Sequence, residues 1–469
     1  MGGKTLVTKF GGTSVGSASA IAQVAEIVRA IRKDWSHVVV VVSAMSGVTD
    51  MLLEAAHVAA QGNRERAGQI ANKLKLTHLE AAQGLIDSEA DRAAALHSVD
   101  HRLHELDSLC DALAVLGEAS PRALDAVSSL GERMSIHLVA ARLRQIGVSA
   151  QAVHATEVIV TDGVFQSAAP LMEPTRQRAR QRLGSLFADG AVPVVTGFIG
   201  ATESGIVTTL GRGGSDYSAA ILGAALDADE VWIYTDVDGV MTADPRVAPD
   251  ARSLATLSYH EMSELAYFGA KVLHPKTIVP IIERGIPLRI KNTFNPEHPG
   301  TLIVAESNGV VGGTLHAVTA IKRQSLVTVE GRGMLGVPGI AARAFGAVAR
   351  TGTSVLMISQ ASSEQSICFV VPQATANSVV NALRAEFDHE LARRDIESIW
   401  GLQDVVIVTV VAAALRDTPG VAGRVFGVLG AAGINIIAIA QGSSEHSVSL
   451  VVDAKDADEA VRRIHTLIE

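Results

Sequence analysis

The sequence predicts an α/β protein in two parts: a largely parallel open sheet with helices on both faces, followed by a duplicated βαββα module. Three observations support this prediction. Short runs of valine and isoleucine alternate with helical patterns in the first part of the chain, as in a parallel sheet buried on both faces. A turn-rich stretch at 292–300 then ends this alternation. Beyond it a segment occurs twice, beginning at Pro338 and again at Pro419.

Apolar runs mark the predicted strands of the first part, at 5–10, 38–43, 192–196, 231–235 and 287–291. Helical patterns lie between them, at 18–33, 133–145, 175–187 and 217–225. Residues 51–116 are helical throughout, with leucine and valine at spacings of three and four from Leu96 to Leu116. We expect this insertion to pack on the sheet as a helical hairpin. A coiled-coil arm that forms a dimer is the alternative.

These patterns divide the chain into a first domain at 1–304, a linker at 305–318 and two repeat domains at 319–400 and 401–469. Residues 338–346 match 419–427, and residues 360–364 match 441–445. Each copy reads as strand, helix, strand, strand and helix, with proline at the start of its first helix. The second copy ends without a final strand, and we expect 317–321 to supply it.

Composition excludes several classes of protein. The 469 residues carry a net charge of −9 and have no basic stripe interleaved with aromatic residues, which argues against nucleic acid as a partner. Cys110 and Cys368 have no metal-ligand spacing, so we expect a reduced, cytoplasmic setting. The chain has no leader pattern at Lys4, and its longest apolar run is far too short to cross a membrane. We therefore expect a soluble protein.

Two glycine turns carry the strongest functional signal. One is Lys9-Phe10-Gly11-Gly12-Thr13-Ser14, and the other is the run from Thr209 to Asp216. Each joins a predicted strand to a predicted helix and places a charged residue beside backbone N–H groups, an arrangement that suits a phosphate chain. The Walker pattern is absent from the sequence. Together the two turns predict phosphoryl transfer on another fold, with Lys9 acting on the transferring group; a solvated surface lysine is the alternative.

Three further charged groups suit the same chemistry. Arg212 offers a two-pronged fork for a carboxylate. Asp216 lies close to a helix that we expect to begin near Tyr217, so a simple N-cap is its alternative role. A turn-rich loop at 234–246 follows a buried strand, where α/β sheets bind ligands. Lys271 is another candidate phosphate contact.

In combination these motifs resemble those of the aspartate kinases of the amino-acid kinase superfamily. The resemblance covers essentially the whole chain, including 129–133 and 268–275, and the doubled tail looks like the paired ACT domains that sense an end-product amino acid. It implies an amino-acid kinase fold followed by two ferredoxin-like ACT domains. The implied reaction is ATP-dependent phosphorylation of the side-chain carboxylate of L-aspartate to 4-phospho-L-aspartate. That is the first step toward lysine, threonine and methionine.

The resemblance also implies roles for individual residues. Catalysis falls to Lys9 and Asp216. Aspartate binding falls to Thr49, Glu132, Phe198, Arg212 and Ser215. Nucleotide binding falls to Lys9, Gly11, Gly12, Thr13, Ser14, Thr235, Asp236, Arg246 and Lys271. Met241 stands where family members often have tyrosine, which affects one expected nucleotide contact.

The residue types agree with this chemistry when considered independently. An aspartate side chain is already ionised at neutral pH, so its phosphorylation needs positioning and charge stabilisation rather than a general base. Glu132 suits the substrate ammonium and Arg212 its α-carboxylate; a plain charge at a helix N-terminus is the alternative for Glu132. Mg²⁺ is expected with ATP, held mainly by phosphates and water. We expect no metal site made by the protein alone.

The tail predicts regulation. Residues 331–336 match the dinucleotide pattern G-x-G-x-x-G, but the second copy lacks these glycines, and the next strand ends in Gln360 where an acid is wanted. We instead expect this loop to bind an amino-acid effector, with Gln360 and Gln441 in contact with it. Threonine is favoured as effector and lysine is the alternative. We expect a homodimer or larger assembly through the ACT domains.

Other readings of the whole chain stay open. A kinase for glutamate or N-acetylglutamate would share the fold, and a catalytically inactive amino-acid sensor would share the tail. The sensor would be expected to have lost Lys9 or Asp216, and both are present. We expect no dehydrogenase domain after the second repeat.

Overall fold

The computed structural model describes residues 3–269, 273, 275–306, 314–360, 365–412, 415, 418–441 and 446–468. The chain forms two compact units. The first holds the described residues of 1–240, 253–259 and 271–307, and the second holds those of 241–252, 260–270 and 308–469.

A mostly parallel sheet organises the first unit. The strands among the described residues of this unit are Thr5–Phe10 (β1), His37–Val42 (β2), Ala150–Val153 (β3), Val192–Thr196 (β4), Ile199–Ala201 (β5), Val207–Thr209 (β6), Glu230–Thr235 (β7), Thr256–Ser258 (β8), Leu288–Asn292 (β9) and Thr301–Val304 (β10). Eight of them form one sheet in the order β3-β4-β2-β1-β7-β9-β10-β8, and β5 pairs with β6 separately. Every neighbouring pair of the large sheet is parallel except β9 and β10. The predicted fold class is therefore confirmed.

Helices cover both faces of this sheet. The helices that begin in the first unit are Ala18–Ile31 (α1), Val48–Ala60 (α2), Arg64–Leu85 (α3), Glu89–Leu116 (α4), Pro121–Ser128 (α5), Leu130–Gln145 (α6), Met172–Ala188 (α7), Gly214–Leu226 (α8), Tyr259–Tyr267 (α9) and Val279–Ile282 (α10). Phe10 and Val40 share a core cluster with α1 and α6. Because side chains alternate along a strand, Val39 points to the other face. There α8 packs so closely on β7 that a Cβ on Gly223 would lie 2.6 Å from Val231.

Three helices, rather than the two of a hairpin, occupy the predicted insertion. They are α2, α3 and α4. Leu74, Leu103 and Leu106 belong to the same buried cluster as β1 and β2. The regular leucine spacing therefore serves to pack these helices on the core of the first unit.

The second unit is built on one six-stranded antiparallel sheet. Its strands are Leu315–Glu330 (β11), Met357–Gln360 (β12), Ser366–Pro372 (β13), Ser398–Ala412 (β14), Ala438–Ala440 (β15) and Ser447–Asp453 (β16). Their order is β12-β13-β11-β14-β16-β15. The helices are Ile340–Arg350 (α11), Gln373–Glu386 (α12), Asp388–Arg393 (α13), Val421–Ala431 (α14) and Ala457–His465 (α15). Each repeat contributes one half of the sheet and its own helical core.

The two halves share their long strands. Residues 315–321 of β11 pair with 407–412 of β14, so the strand missing from the second repeat comes from ahead of the first. This confirms the prediction for 317–321, and it places the start of β11 inside the predicted linker. Arg323 and Asp404 occupy equivalent positions in the repeat, and both have positive φ (62° and 55°). They mark where each long strand passes from one half to the other.

Two short segments from ahead of residue 304 belong to the second unit. In 241–252, the Thr242 hydroxyl lies 2.8 Å from Nε2 of the buried His465. In 260–270, Glu264 Oε2 accepts a 2.6 Å hydrogen bond from the Ser447 hydroxyl. The compact units therefore do not divide at a single point in the sequence.

Candidate active site

A cleft of about 740 Å³ opens in the first unit at the carboxyl ends of β1, β2 and β7. Parallel strands end at the same edge of a sheet, so the loops that follow them meet there. Most of the predicted site residues line this cleft: Lys9, Gly11, Gly12, Thr13, Thr49, Glu132, Phe198, Arg212, Ser215, Asp216 and Thr235. The structure thus brings together residues from both glycine turns.

Lys9 and Asp216 form an ion pair at the centre of the site. Lys9 Nζ lies 2.6 Å from Asp216 Oδ1, and the two side chains are 12% and 13% exposed. Helix α8 begins at Gly214 after Gly213, whose φ is 72°. Asp216 therefore lies inside the first turn, so the predicted helix start near 217 and the N-cap alternative for Asp216 are both wrong. The early start arises because the glycine at 213 adopts the left-handed conformation that turns the chain into the helix.

The turn before α8 packs on a strained residue. Phe198 has a φ of 68°, which is uncommon for a bulky side chain. A Cβ on Gly214 would lie 2.7 Å from the Phe198 ring, so glycine is required for this approach. Strain of this kind is typical of functional sites. The contact fixes Phe198 against the start of α8.

Glu132 presents a half-satisfied carboxyl group to the cleft. It lies in the first turn of α6, is 3% exposed, and accepts a 3.1 Å hydrogen bond at Oε1 from the Ala44 N–H. Oε2 has no hydrogen-bond partner among the described residues. Burial raises the pKa of Glu132 to about 8. Such a group favours a ligand role over that of a solvated charge at a helix N-terminus.

Arg212 is the exposed cation of the site. Within the described part of the chain, its guanidinium takes part in none of the ion pairs. Thr49, in the first turn of α2, also lines the cleft and is half-buried. Arg212 is therefore available for an anionic ligand, which agrees with its predicted role.

The nucleotide residues of the first turn divide into two groups. Gly11, Gly12 and Thr13 line the cleft, and a Cβ on Gly12 would come within 3.3 Å of the Ala44 carbonyl oxygen. Ser14 is fully buried, and its hydroxyl lies 2.6 Å from that of Thr293. The Ser14 hydroxyl thus stabilises the turn from beneath.

The remaining predicted nucleotide contacts are more scattered. Asp236 is exposed and accepts a 3.1 Å hydrogen bond from the Thr235 hydroxyl. Arg246, like Met241, belongs to the second unit. Its side chain is 84% exposed and donates to both carboxylate oxygens of Asp244. Lys271 lies outside the described residues.

The glycines at 331–336 have a structural explanation. A Cβ on Gly331 would lie 2.4 Å from the Asp395 carbonyl oxygen, and one on Gly333 would lie 2.5 Å from the Asp395 Cα. The loop is therefore pressed against the chain ahead of β14. Gln360 ends β12 and Gln441 follows β15, and both are exposed at equivalent places in the two halves.

Sequence analysis missed one buried acid of the cleft wall. Asp125 on α5 is 1% exposed, lines the cleft and accepts hydrogen bonds from Gln166 and Thr209. The only available signal was an acidic residue within a short amphipathic helix. That signal is weak, because such residues are usually solvated.

No group of three or more histidine, cysteine, aspartate or glutamate residues suited to a metal ion occurs in the part of the chain that the structure describes. Across the same residues, the helices are too short or too polar to span a membrane.

The arrangement of charges suits phosphoryl transfer to a small acid. A lysine–aspartate pair, an available arginine and a half-satisfied glutamate face one cleft. Cations aimed at a transferring phosphoryl group stabilise its charge. Comparison with known proteins agrees with this: the amino acid kinase family matches 4–292.

The chain belongs to the amino acid kinase family. The ACT domain family matches the tail twice, at 327–387 and 408–467. Both matches lie in the regions where the sequence predicted a kinase and two ACT domains. The aspartate-kinase resemblance therefore rests on the whole chain.

Within this family, the chain is similar to proteins named aspartokinases. Aspartokinase 1, chloroplastic, of Arabidopsis thaliana is 33% identical over 99% of this chain and 80% of its own length. The bifunctional aspartokinase/homoserine dehydrogenase 1, chloroplastic, of Zea mays is 38% identical over 98% of this chain. The chain spans about half the length of such bifunctional relatives.

Solved structures of an aspartokinase are also similar to this chain along almost its whole length. E. coli aspartokinase III in complex with aspartate and ADP (R-state) matches with a TM-score of 0.80 and 29% identity, covering 99% of this chain and 100% of its own. The same enzyme in complex with lysine and aspartate (T-state) matches with a TM-score of 0.80 and 30% identity, covering 99% of both chains.

Proposed function

We propose that this protein phosphorylates the side-chain carboxylate of L-aspartate with ATP, forming 4-phospho-L-aspartate. This is the first step toward lysine, threonine and methionine. The observation that carries the proposal is the 2.6 Å pair between Lys9 and Asp216, which lies in one cleft with Arg212 and Glu132. The names of the relatives support the same substrate.

Each group has a distinct task in the proposed reaction. Lys9 stabilises the charge that develops on the transferring phosphoryl group, and Asp216 orients Lys9. Arg212 binds the α-carboxylate through paired hydrogen bonds, and Glu132 accepts from the ammonium. No general base is required, because the attacking carboxylate is already ionised. Catalysis therefore rests on positioning two anionic substrates against fixed positive charge.

ATP is the proposed donor, and Mg²⁺ accompanies it. The described residues offer no cluster of ligands for the metal. The ion would be held mainly by phosphate oxygens and water. Gly11, Gly12 and Thr13 line the cleft, and we propose that their backbone N–H groups bind the phosphates. Thr235, Asp236, Arg246 and Lys271 are retained as proposed nucleotide contacts, whereas the fully buried Ser14 supports the turn.

A coupled ADP-release assay tests the proposal. We expect ADP to form with aspartate and not with glutamate or N-acetylglutamate, and a Lys9→Ala variant serves as the inactive control. Folded protein that releases no aspartate-dependent ADP would exclude the reaction. Release with glutamate alone would assign the protein to another member of the same fold, and effector binding without any turnover would indicate a sensor.

We also propose feedback inhibition through the ACT domains, with Gln360 and Gln441 in contact with the effector. Threonine is favoured, because the tail resembles that of threonine-responsive members of the family. The lysine complex of E. coli aspartokinase III supports lysine as the alternative. Separate titrations of the two amino acids into the assay distinguish them.

We also propose that copies of the chain assemble through their ACT domains and that the protein is located in the cytoplasm. A homodimer or larger assembly through the ACT domains would appear in light scattering as at least twice the mass of the chain. Limited proteolysis tests the boundary at 304, and fractionation of the source cells tests the cytoplasmic location. Positions 318 and 400 lie inside the paired strands β11 and β14, where no cleavage is expected.

A further inference from the structure

A buried carboxylate lies beneath the turn that carries Arg212. Asp125 is 1% exposed, and its Oδ1 and Oδ2 accept hydrogen bonds of 3.1 and 3.0 Å from the Gln166 N–H. The Thr209 N–H donates to Oδ2 (2.9 Å), and the Thr209 hydroxyl donates to Oδ1 (2.7 Å). All of these donors are neutral. Among the described residues, Asp125 forms no ion pair.

The two partners of Asp125 support the same turn from different sides. Gln166 has a φ of 66°, a left-handed conformation that is uncommon for this residue type. The chain at 166–167 lies directly under Gly211, where a Cβ would come within 2.9 Å of the Gln166 carbonyl oxygen. Thr209 ends β6, three residues before Arg212. Asp125 therefore joins the strand that enters the turn to the loop on which the turn rests.

Burying a carboxylate without a cation is costly unless its hydrogen bonds are well satisfied. Here three donors satisfy it: the Gln166 N–H, which is shared between both oxygens, and the N–H and hydroxyl of Thr209. They hold the strained backbone of Gln166 against Thr209. We propose that Asp125 is a positioning residue that fixes the direction in which Arg212 enters the cleft. This inference rests on the proposed function, in which Arg212 binds the α-carboxylate of aspartate.

Hydrogen exchange tests the positioning without reference to any activity. In Asp125→Asn, the amide keeps one acceptor oxygen, and its NH₂ group opposes a main-chain donor. We expect faster exchange in the peptide spanning 207–217 than in the parent protein. Thr209→Val, which removes only the hydroxyl donor, should show the same effect more weakly.

A matched control separates local positioning from general loss of stability. Thr175 is also fully buried, and its hydroxyl bonds the main chain of Val160. It does not line the cleft. We expect Thr175→Val to lower the melting temperature without speeding exchange at 207–217. Equal exchange in all three variants and the parent would overturn the proposal.

Steady-state kinetics should show whether the substitution changes KM or kcat. We expect the KM for aspartate to rise about tenfold to a hundredfold in Asp125→Asn, because a small displacement of a binding group is amplified in the complex. The KM for ATP should stay within about threefold. Thr209→Val, which lacks the hydroxyl donor, should raise the KM for aspartate by less. Thr209→Ser, which keeps the hydroxyl, should leave it at the parent value.

Different results would reject the proposed function and the positioning role of Asp125. Loosened exchange in a parent protein that never phosphorylates aspartate would reject the proposed function and leave Asp125 as the support of the turn. An active parent whose Asp125→Asn variant keeps its KM for aspartate would reject the positioning role and leave the function intact.

Discussion

Glu132→Gln should stabilise the protein while weakening aspartate binding. Glutamine keeps the Oε1 acceptor for the Ala44 N–H and cannot ionise. In the parent protein, burial raises the pKa of Glu132 from 4.5 to about 8, so the folded state keeps a proton that the unfolded state has lost. Stability of the parent must therefore fall as the pH rises between these two values.

The magnitude follows from the size of the pKa change. Each pH unit between 4.5 and 8 costs about 1.4 kcal/mol of unfolding free energy. The variant should gain about 3 kcal/mol over the parent at pH 7 and at most about 5 kcal/mol above pH 8. Near pH 4.5 the carboxyl group is neutral in the folded state, so the two proteins should converge.

The assay is urea unfolding from pH 5 to pH 8, followed by tryptophan fluorescence. Trp35 and Trp232 pack edge to face in the first unit, with ring centroids 5.9 Å apart. Trp400 belongs to the second unit. A Trp400→Phe background therefore restricts the signal to the unit that holds Glu132. A stability difference that stays constant from pH 5 to pH 8 would refute the reasoning.

Aspartate binding should release the proton that the buried carboxyl group of Glu132 carries. At pH 7 the carboxyl group of Glu132 is mostly protonated, and pairing with a substrate ammonium favours its ionised form. Aspartate binding should therefore release close to one proton in the parent and none in Glu132→Gln. Calorimetry in two buffers with different ionisation enthalpies measures this, and equal proton release in both proteins would point to another group.

Three further predictions concern catalysis, regulation and packing. Lys9→Ala should lower turnover about a hundredfold to a thousandfold with little change in melting temperature, because its charge acts mainly in the transition state; a parallel loss of both would indicate a structural role. Gln441→Ala should relieve feedback inhibition with near-normal basal turnover, and unchanged sensitivity to threonine and lysine would count against the effector site. Gly300→Ala should lower the free energy of unfolding by about 3 kcal/mol or more, because its Cβ would lie 1.9 Å from the Ile290 carbonyl oxygen. Gly205→Ala is the control: its φ is also positive, but no atom lies within 4 Å, so urea unfolding should show a loss of only about 1 kcal/mol.

Much of the fold could be predicted because its signals are local. Runs such as Val38–Val42 are apolar and β-branched at every position, which is typical of a strand buried on both faces. The duplicated tail was evident from its repeat, and the borrowed strand at 317–321 followed from counting elements. The start of α8 was missed because the glycine at 213 reads as a loop residue until its left-handed backbone conformation is known.

Other features of the fold and of the site leave no signal in the local sequence. The segments 241–252 and 260–270 join the second unit through long-range contacts such as Thr242 with His465. Asp125 reads as an ordinary helix acid, and only its burial under the 209–216 turn shows what it supports.

The sequence alone determined which chemical groups the protein possesses: a strand-end lysine, paired glycines, and an arginine and an aspartate in one turn. It also determined the alternation of strands and helices, since hydrophobic periodicity is a property of neighbouring residues. Only the tertiary structure placed Lys9 2.6 Å from Asp216, buried the carboxyl group of Glu132 and joined the two ACT repeats through shared strands. Distances between remote residues, and the pKa values that depend on burial, are set by the packing of the whole chain rather than by any short segment of it.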